Sequence, residues 1–206
     1  MLNIVLFEPE IPANTGNIGR TCVVTGTRLH LIEPLGFSLD SKMLHRAGLG
    51  YWENLDVRVH ASWDAFLDAC NLRGAHAGSR LHLLTKKAQR TYAQSTYRDG
   101  DYLVFGKESS GIPERILAEL PGCCERIPML PDRDSLANRA QWEAHEQELH
   151  AGAGDNAAAS PLLQQDICGN FIDPDDYRIS ALNLSNAAAV VLYEALRQTG
   201  FPGMEA

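Results

Sequence analysis

Long apolar runs are missing from this chain: nowhere do its 206 residues approach the ~18 consecutive apolar positions of a membrane span. Cysteine is scarce and irregular. Cys22, Cys70, Cys123, Cys124 and Cys168 make an odd count with no CxxC spacing, so reduced structural thiols are expected, not a disulfide framework. The seven histidines are scattered, and His145 and His150 are five apart, wrong for one helix face; no metal is expected. Neither a GxGxxG turn nor a Walker lysine loop occurs, which argues against nicotinamide cofactors and nucleotide hydrolysis. Positive charge is also short, with 18 basic against 26 acidic residues and a net charge of −8. That deficit is local. Residues 132–178 hold ten acidic and three basic residues, a net of −7, so the remainder is nearly neutral and can still present a basic face to an anionic partner.

What is present has the makings of one ordinary domain, 45% apolar and 21% charged. Leu2–Phe7 is a continuous apolar run suited to a buried parallel strand. It lacks the basic flank and small-residue cleavage site of a signal peptide, and a cytoplasmic location is the default. Strand patterns recur at Leu29–Ile32, Val57–His60, Leu81–Thr85, Tyr102–Phe105 and Glu125–Pro128. Between them lie helix patterns: one capped by Asn14 or Thr15 and running to about Thr25, one at Ser41–Leu49, one capped by Ser62 and running through Cys70, and one opened by Pro113. Ser185–Thr199 carries the strongest helical pattern. The alternation predicts an α/β domain with a mainly parallel sheet. Residues 133–178 break the pattern. Ser135–His150 suits a charged helix, Ala151–Pro161 has linker composition, and the stretch reads as an acidic insertion within a single domain.

Three segments carry the chemistry. Asn14-Thr15-Gly16-Asn17-Ile18-Gly19-Arg20 follows the first strand and places one arginine on a helix beside amide and hydroxyl groups, a set that fits phosphate or ribose. Phe105-Gly106-Lys107-Glu108-Ser109-Ser110-Gly111-Ile112-Pro113 follows the fifth strand, where ligands of open α/β sheets sit, and Gly106 admits close approach of a flat ring. Leu182-Asn183-Leu184-Ser185-Asn186 precedes the last helix; Ser185 or Asn186 suffices as its cap, which leaves the Asn183 amide available to a ligand. Each segment alone also reads as an ordinary capped turn.

Together, in this order and spacing, the three segments resemble the motifs of the SPOUT RNA methyltransferases. Met1–Arg20 and Leu29-His30-Leu31-Ile32-Glu33-Pro34 are most similar to the branch of minimal tRNA 2′-O-methyltransferases acting on the wobble nucleotide, cytidine or a modified uridine at position 34. The likeness covers Met1–Asp132 and Ser180–Gly203. It implies a sheet whose C-terminal part forms a deep trefoil knot, S-adenosylmethionine as methyl donor with no metal, a homodimer, and tRNA as partner at its anticodon. By position it implies that Leu84, Gly106, Ile127, Ala181 and Leu182 contact the cofactor. Arg20 takes the catalytic place, with Asn14, Glu108, Asn183 and Tyr193 as supports or substrate contacts. One departure stands out: relatives read Ser-Arg-Ser-Leu-Asn-Leu-Ser where this chain has Ile179-Ser180-Ala181-Leu182-Asn183-Leu184-Ser185. With the acidic insertion, that departure keeps a second reading open, a non-catalytic or gated RNA-binding relative.

Overall fold

The computed structural model describes residues 1–38, 50–129 and 181–205. The helices expected at Ser41–Leu49 and Ser135–His150 lie outside them. The chain divides into two compact units, Met1–Ile127 with Leu182–Ala206, and Pro128–Ala181. Of the second, only Pro128, Met129 and Ala181 are described.

In the first unit, the strands β1 (Asn3–Phe7), β2 (Arg28–Ile32), β3 (Val57–His60), β4 (Leu81–Leu84), β5 (Tyr102–Phe105) and β6 (Cys124–Glu125) form one sheet. Their spatial order is β3-β2-β1-β5-β4-β6, and every pairing is parallel. Alternation along each strand feeds two cores. Val5, Phe7, Ile32, Leu83 and Val104 face one side, against α2 (Trp63–Ala69) and α3 (Glu114–Glu119). Ile4, Leu6, Leu29, Leu31 and Leu103 face the other, against α1 (Pro12–Thr25) and α4 (Leu184–Thr199). Both faces are covered over the central strands, so β1 from Ile4 onward and β5 read as unbroken apolar runs, while edge strand β3 exposes Arg58 and Val59.

Local rules account for most helix ends. Ser62 Oγ accepts from Ala65 N at 3.1 Å and starts α2 as expected. Gly26 and Gly200 close α1 and α4 in the left-handed conformation, at φ 61° and 77°. In α4, Ala188, Val191, Leu192, Ala195 and Leu196 are buried at i, i+3, i+4, i+7 and i+8. The start of α1 corrects the sequence reading. Pro12 opens the helix, whose N-cap Ile11 has no side-chain bond, while Asn14 and Thr15 are buried inside the first turns. Pro suits that place because its missing N–H is one a helix start leaves unused anyway.

Two polar clusters lie within the apolar layers. His30 and His60 stack on the α2 side, and burial first, then each other's charge, hold the His30 pKa down to about 3. On the other side His82 lies between Glu125 (2.7 Å) and Asp101 (3.2 Å), and Tyr97 Oη donates to Glu125 at 2.7 Å. Burial works against a charge on His82, but its bonds to Asp101 and Glu125 outweigh it and lift the pKa to about 9.

Two outcomes follow from this packing. A Cβ at Gly106 would lie 2.1 Å from the Gly111 carbonyl carbon and 2.2 Å from Ile112 N, whereas one at Gly122 would meet nothing within 4 Å. Urea unfolding should therefore show Gly106→Ala losing about 3 kcal/mol or more, and Gly122→Ala changing within about 0.5 kcal/mol. The second concerns pH. Because His82 titrates higher folded than at its ordinary 6.5, its stabilisation is complete below about 6.5 and is lost as pH rises through about 9. Thermal midpoints should fall across that window. His82→Gln should flatten the fall while lowering stability at pH 7 by about 3–5 kcal/mol, since it strands buried carboxylates.

Candidate functional site

The loop after β5 turns back on itself. Lys107 and Gly111 exchange backbone hydrogen bonds of 3.2 and 2.9 Å, and Gly106 is the residue whose missing side chain lets the returning strand pass. The space beside its Cα is thus filled by Gly111 and Ile112, not left for the ring anticipated from the sequence. This loop is fastened to the one after β1. Lys107 pairs with Glu8, which itself sits at a positive φ of 47°. Glu10 accepts from the Ser109 hydroxyl (2.9 Å) and backbone N–H (3.0 Å), which together hold its carboxyl below the usual range.

Glu108 supplies what the start of α1 lacks. Its carboxylate accepts from Glu10 N at 3.0 Å, Ile11 N at 3.4 Å and Asn14 Nδ2 at 3.0 Å. An anion is favoured there by the helix dipole as well. A carboxylate can only accept, so Asn14 must turn its amide nitrogen toward Glu108 and its oxygen away. That oxygen accepts from Asn183 Nδ2 at 2.8 Å. Asn183 Oδ1 then accepts from Ser185 N (2.9 Å) and Ser185 Oγ (2.7 Å), making Asn183 the N-cap of α4. Asn14, Glu108 and Asn183 therefore meet. The expectation that the Asn183 amide is unengaged is corrected: capping and Asn14 occupy all of it but one N–H.

The other expected positions fall in two groups. Leu84 is paired in register with Phe105 and with Glu125, so Leu84, Gly106 and Ile127 line the carboxyl edge of three adjacent strands. Leu84 and Ile127 are half-buried in the core cluster that includes Leu184 and Ala187 of α4. Leu182 is 44% exposed, and exposed Ala181 belongs to the second unit. Arg20 stands apart from the network, about 9 Å along the helix from Asn14 at ~1.5 Å per residue. Its guanidinium lies over the Tyr51 ring, 5.2 Å from the centroid, and Tyr51 Oη donates to Gly16 O at 2.6 Å. The 3₁₀ segment Gly50–Asn54 can approach this closely because Gly19 has no side chain: a Cβ there would lie 3.1 Å from Trp52. Tyr193 is 49% exposed on α4 and enters no bond of the network.

Sequence reading missed Tyr51, Glu10 and Ser109. Only the aromatic run Tyr51-Trp52 beside a buried-glycine helix hinted at the first, and nothing at the pairing of two loops 99 residues apart. A separate cleft of about 640 Å³ opens past β2 and β3, lined by Glu33, Pro34, Leu35, Phe37 and Val59; it shares none of the expected positions.

Known proteins match this chain over most of its length. The model of the SpoU rRNA Methylase family matches residues 1–140. A protein of Escherichia coli (strain K12) called tRNA (cytidine(34)-2'-O)-methyltransferase is 42% identical over 204 residues, covering 98% of this chain and 97% of its own. One of the same name from Saccharophagus degradans is also 42% identical, over 98% and 99% of the two chains. A solved structure described as giving insights into the 2-OH methylation of C/U34 on tRNA is 35% identical, with a TM-score of 0.65 over 96% and 95% of the chains. The SpoU methyltransferase AviRb from Streptomyces viridochromogenes, solved with AdoMet, shares the fold at 19% identity and a TM-score of 0.59, over 96% of this chain and 60% of its own. Family model, full-length relatives and parallel sheet agree: this chain belongs to the SpoU methylase family.

Proposed function

We propose that the protein transfers a methyl group from S-adenosylmethionine to the ribose 2′-hydroxyl of nucleotide 34 of tRNA, a cytidine or modified uridine. The observation that carries this reading is the 42% identity, over nearly all of both chains, to a protein called tRNA (cytidine(34)-2'-O)-methyltransferase; the solved structure concerned with C/U34 of tRNA extends it to uridine. The meeting of Asn14, Glu108 and Asn183 supports it.

When bound, S-adenosylmethionine supplies an electrophilic sulfonium methyl. The residues present fit it: half-buried Leu84 and Ile127 offer apolar surface beside the backbone ends of adjacent strands, and family likeness adds Leu182. Gly106 would add backbone contacts there, and family likeness names Ala181 as a further cofactor contact. The protein's share of the chemistry is to orient the ribose hydroxyl and help its proton leave. Arg20 is ill suited to take that proton, because a guanidinium stays charged at ordinary pH. Its role is to bind a neighbouring phosphate or the developing alkoxide, aimed by the Tyr51 ring. Glu108 and Asn14 keep the start of α1, and hence Arg20, in register with the β5 loop.

The remaining features of the reading rest on family likeness: a trefoil-knotted C-terminal part, one methyltransferase domain carrying an acidic insertion at about 133–178, a cytoplasmic enzyme and a homodimer. Exposed apolar side chains on the two helices of one face, Val24 (67%) on α1 and Val190 and Tyr193 on α4, support self-association.

Incubation with labelled S-adenosylmethionine and unmodified tRNA, followed by mass mapping, should find one 2′-O-methyl at nucleotide 34. Binding of tRNA without transfer would instead identify a non-catalytic relative. Arg20→Ala should lower kcat by about 10²–10³-fold with cofactor affinity kept, and Arg20→Lys should not restore it. Tyr51→Phe, which loses the hydroxyl's bond to Gly16 and its contact with Arg20 but keeps the ring, should cost less than Tyr51→Ala.

A further inference from the structure

On the face of the sheet opposite α1 and α4, three side chains from three elements converge. They are His30 in the middle of β2, His60 at the end of β3 and Cys70 just past α2. One ligand atom from each lies within 4.8 Å of the others. His30 Nδ1 and His60 Nε2 are 2.9 Å apart, with the rings stacked at 15°. His30 is fully buried and His60 nearly so, while half-buried Cys70 opens the group toward the surface.

Asn3 fixes the proton positions. Its Nδ2 donates to the carbonyls of Gly100 and Asp101, each at 3.2 Å, so its Oδ1 faces His30 Nε2 at 3.3 Å. Nε2 of His30 therefore carries the hydrogen, and the Nδ1 lone pair is free to accept from His60 Nε2, with Cys70 Sγ within 4.8 Å of both nitrogens. An acceptor behind the ring is the arrangement that orients metal-ligating histidines.

We propose that His30 Nδ1, His60 Nε2 and Cys70 Sγ form a binding site for a borderline transition-metal ion of the zinc(II) class, with water as a fourth ligand. Two imidazoles and a thiolate are a donor set zinc accepts, and Zn–N bonds of ~2.0–2.1 Å in a tetrahedron need the two nitrogens about 3.3 Å apart. The imidazoles must part by a few tenths of an ångström and each turn by roughly 35°, because their nitrogens now face each other along the 2.9 Å hydrogen bond and must aim at a common point. Without an ion, His60 Nε2–H donates to His30 Nδ1. On binding, His60 shifts its hydrogen to Nδ1 with no net loss, and Cys70 releases its thiol proton to solvent, so one proton leaves per ion. The thiolate is needed because Arg28 and Arg58 face the cluster and oppose added positive charge. Asp56 offsets part of that, 2.6 Å from Arg28 Nε and 3.9 Å from Arg58 Nε. An ion here would pin the β2–β3 edge to the end of α2, away from the Asn14–Glu108–Asn183 network.

Cobalt(II) titrated into the full-length protein tests the site, since its thiolate complexes show a near-ultraviolet charge-transfer band. The expected result is saturation of that band at one equivalent, about one proton released per ion, and displacement by zinc(II). Cys70→Ser should abolish the band, and His60→Gln should weaken binding at least about tenfold, with circular dichroism verifying that both variants remain folded. Absence of a band in the wild-type protein, or a band of full intensity in Cys70→Ser, would overturn the proposal.

Discussion

One run of hydrogen bonds fixes how three distant parts of this chain face each other. It begins at the Glu108 carboxylate, passes through the amides of Asn14 and Asn183 and ends on the backbone N–H of Ser185. Its direction is not arbitrary. An acceptor-only carboxylate stands at one end and a donor-only N–H at the other, so each amide between has a single permitted orientation. The run crosses 169 residues of sequence in its Asn14–Asn183 step alone. It holds the starts of α1 and α4 to the loop after β5, at the end of the sheet where α/β folds bind ligands.

The rest of the site is arranged around that constraint. With the start of α1 set by Glu108, the helix carries Arg20 outward to Tyr51, and the gap at Gly19 lets the Tyr51 segment close on it. With the loop after β5 folded over Gly106, Leu84 and Ile127 stand half-buried along the same carboxyl edge of the sheet. In the proposed function, one arm offers a cation to the nucleic-acid backbone and the other an apolar ledge to the methyl donor. This division suits methyl transfer, in which the donor is already reactive and the protein mainly aligns two partners.

Much of this was legible in the sequence, and the failures have physical causes. Five of six strands match their expected ranges within a residue or two; the central ones stand out because buried parallel strands are apolar on both faces, and edge strand β3 does so by its β-branched Val57 and Val59. The sixth, expected at Glu125–Pro128, is only Cys124–Glu125. Asn14, Glu108 and Asn183 were legible as polar groups beside glycine turns, but their bonding was not. Ser185 and Asn186 looked sufficient to cap α4, so nothing local revealed that Asn183 does it while reaching Asn14. Pro12 was the better marker of the start of α1, yet Asn14 and Thr15 have stronger capping propensity and drew the boundary inward. His30, His60 and Cys70 have no ligand spacing along the chain; only the β2–β3 register and the return through α2 bring them together.

If the amide run is what joins the segments, Asn14 and Asn183 must be energetically coupled. The most direct measurement is a double-mutant cycle of Asn14→Ala and Asn183→Ala, read by denaturant unfolding of the full chain. The account predicts that the two losses fail to add by about 0.5–3 kcal/mol. Additivity within about 0.3 kcal/mol would mean that the segments are held by other contacts, and would contradict it.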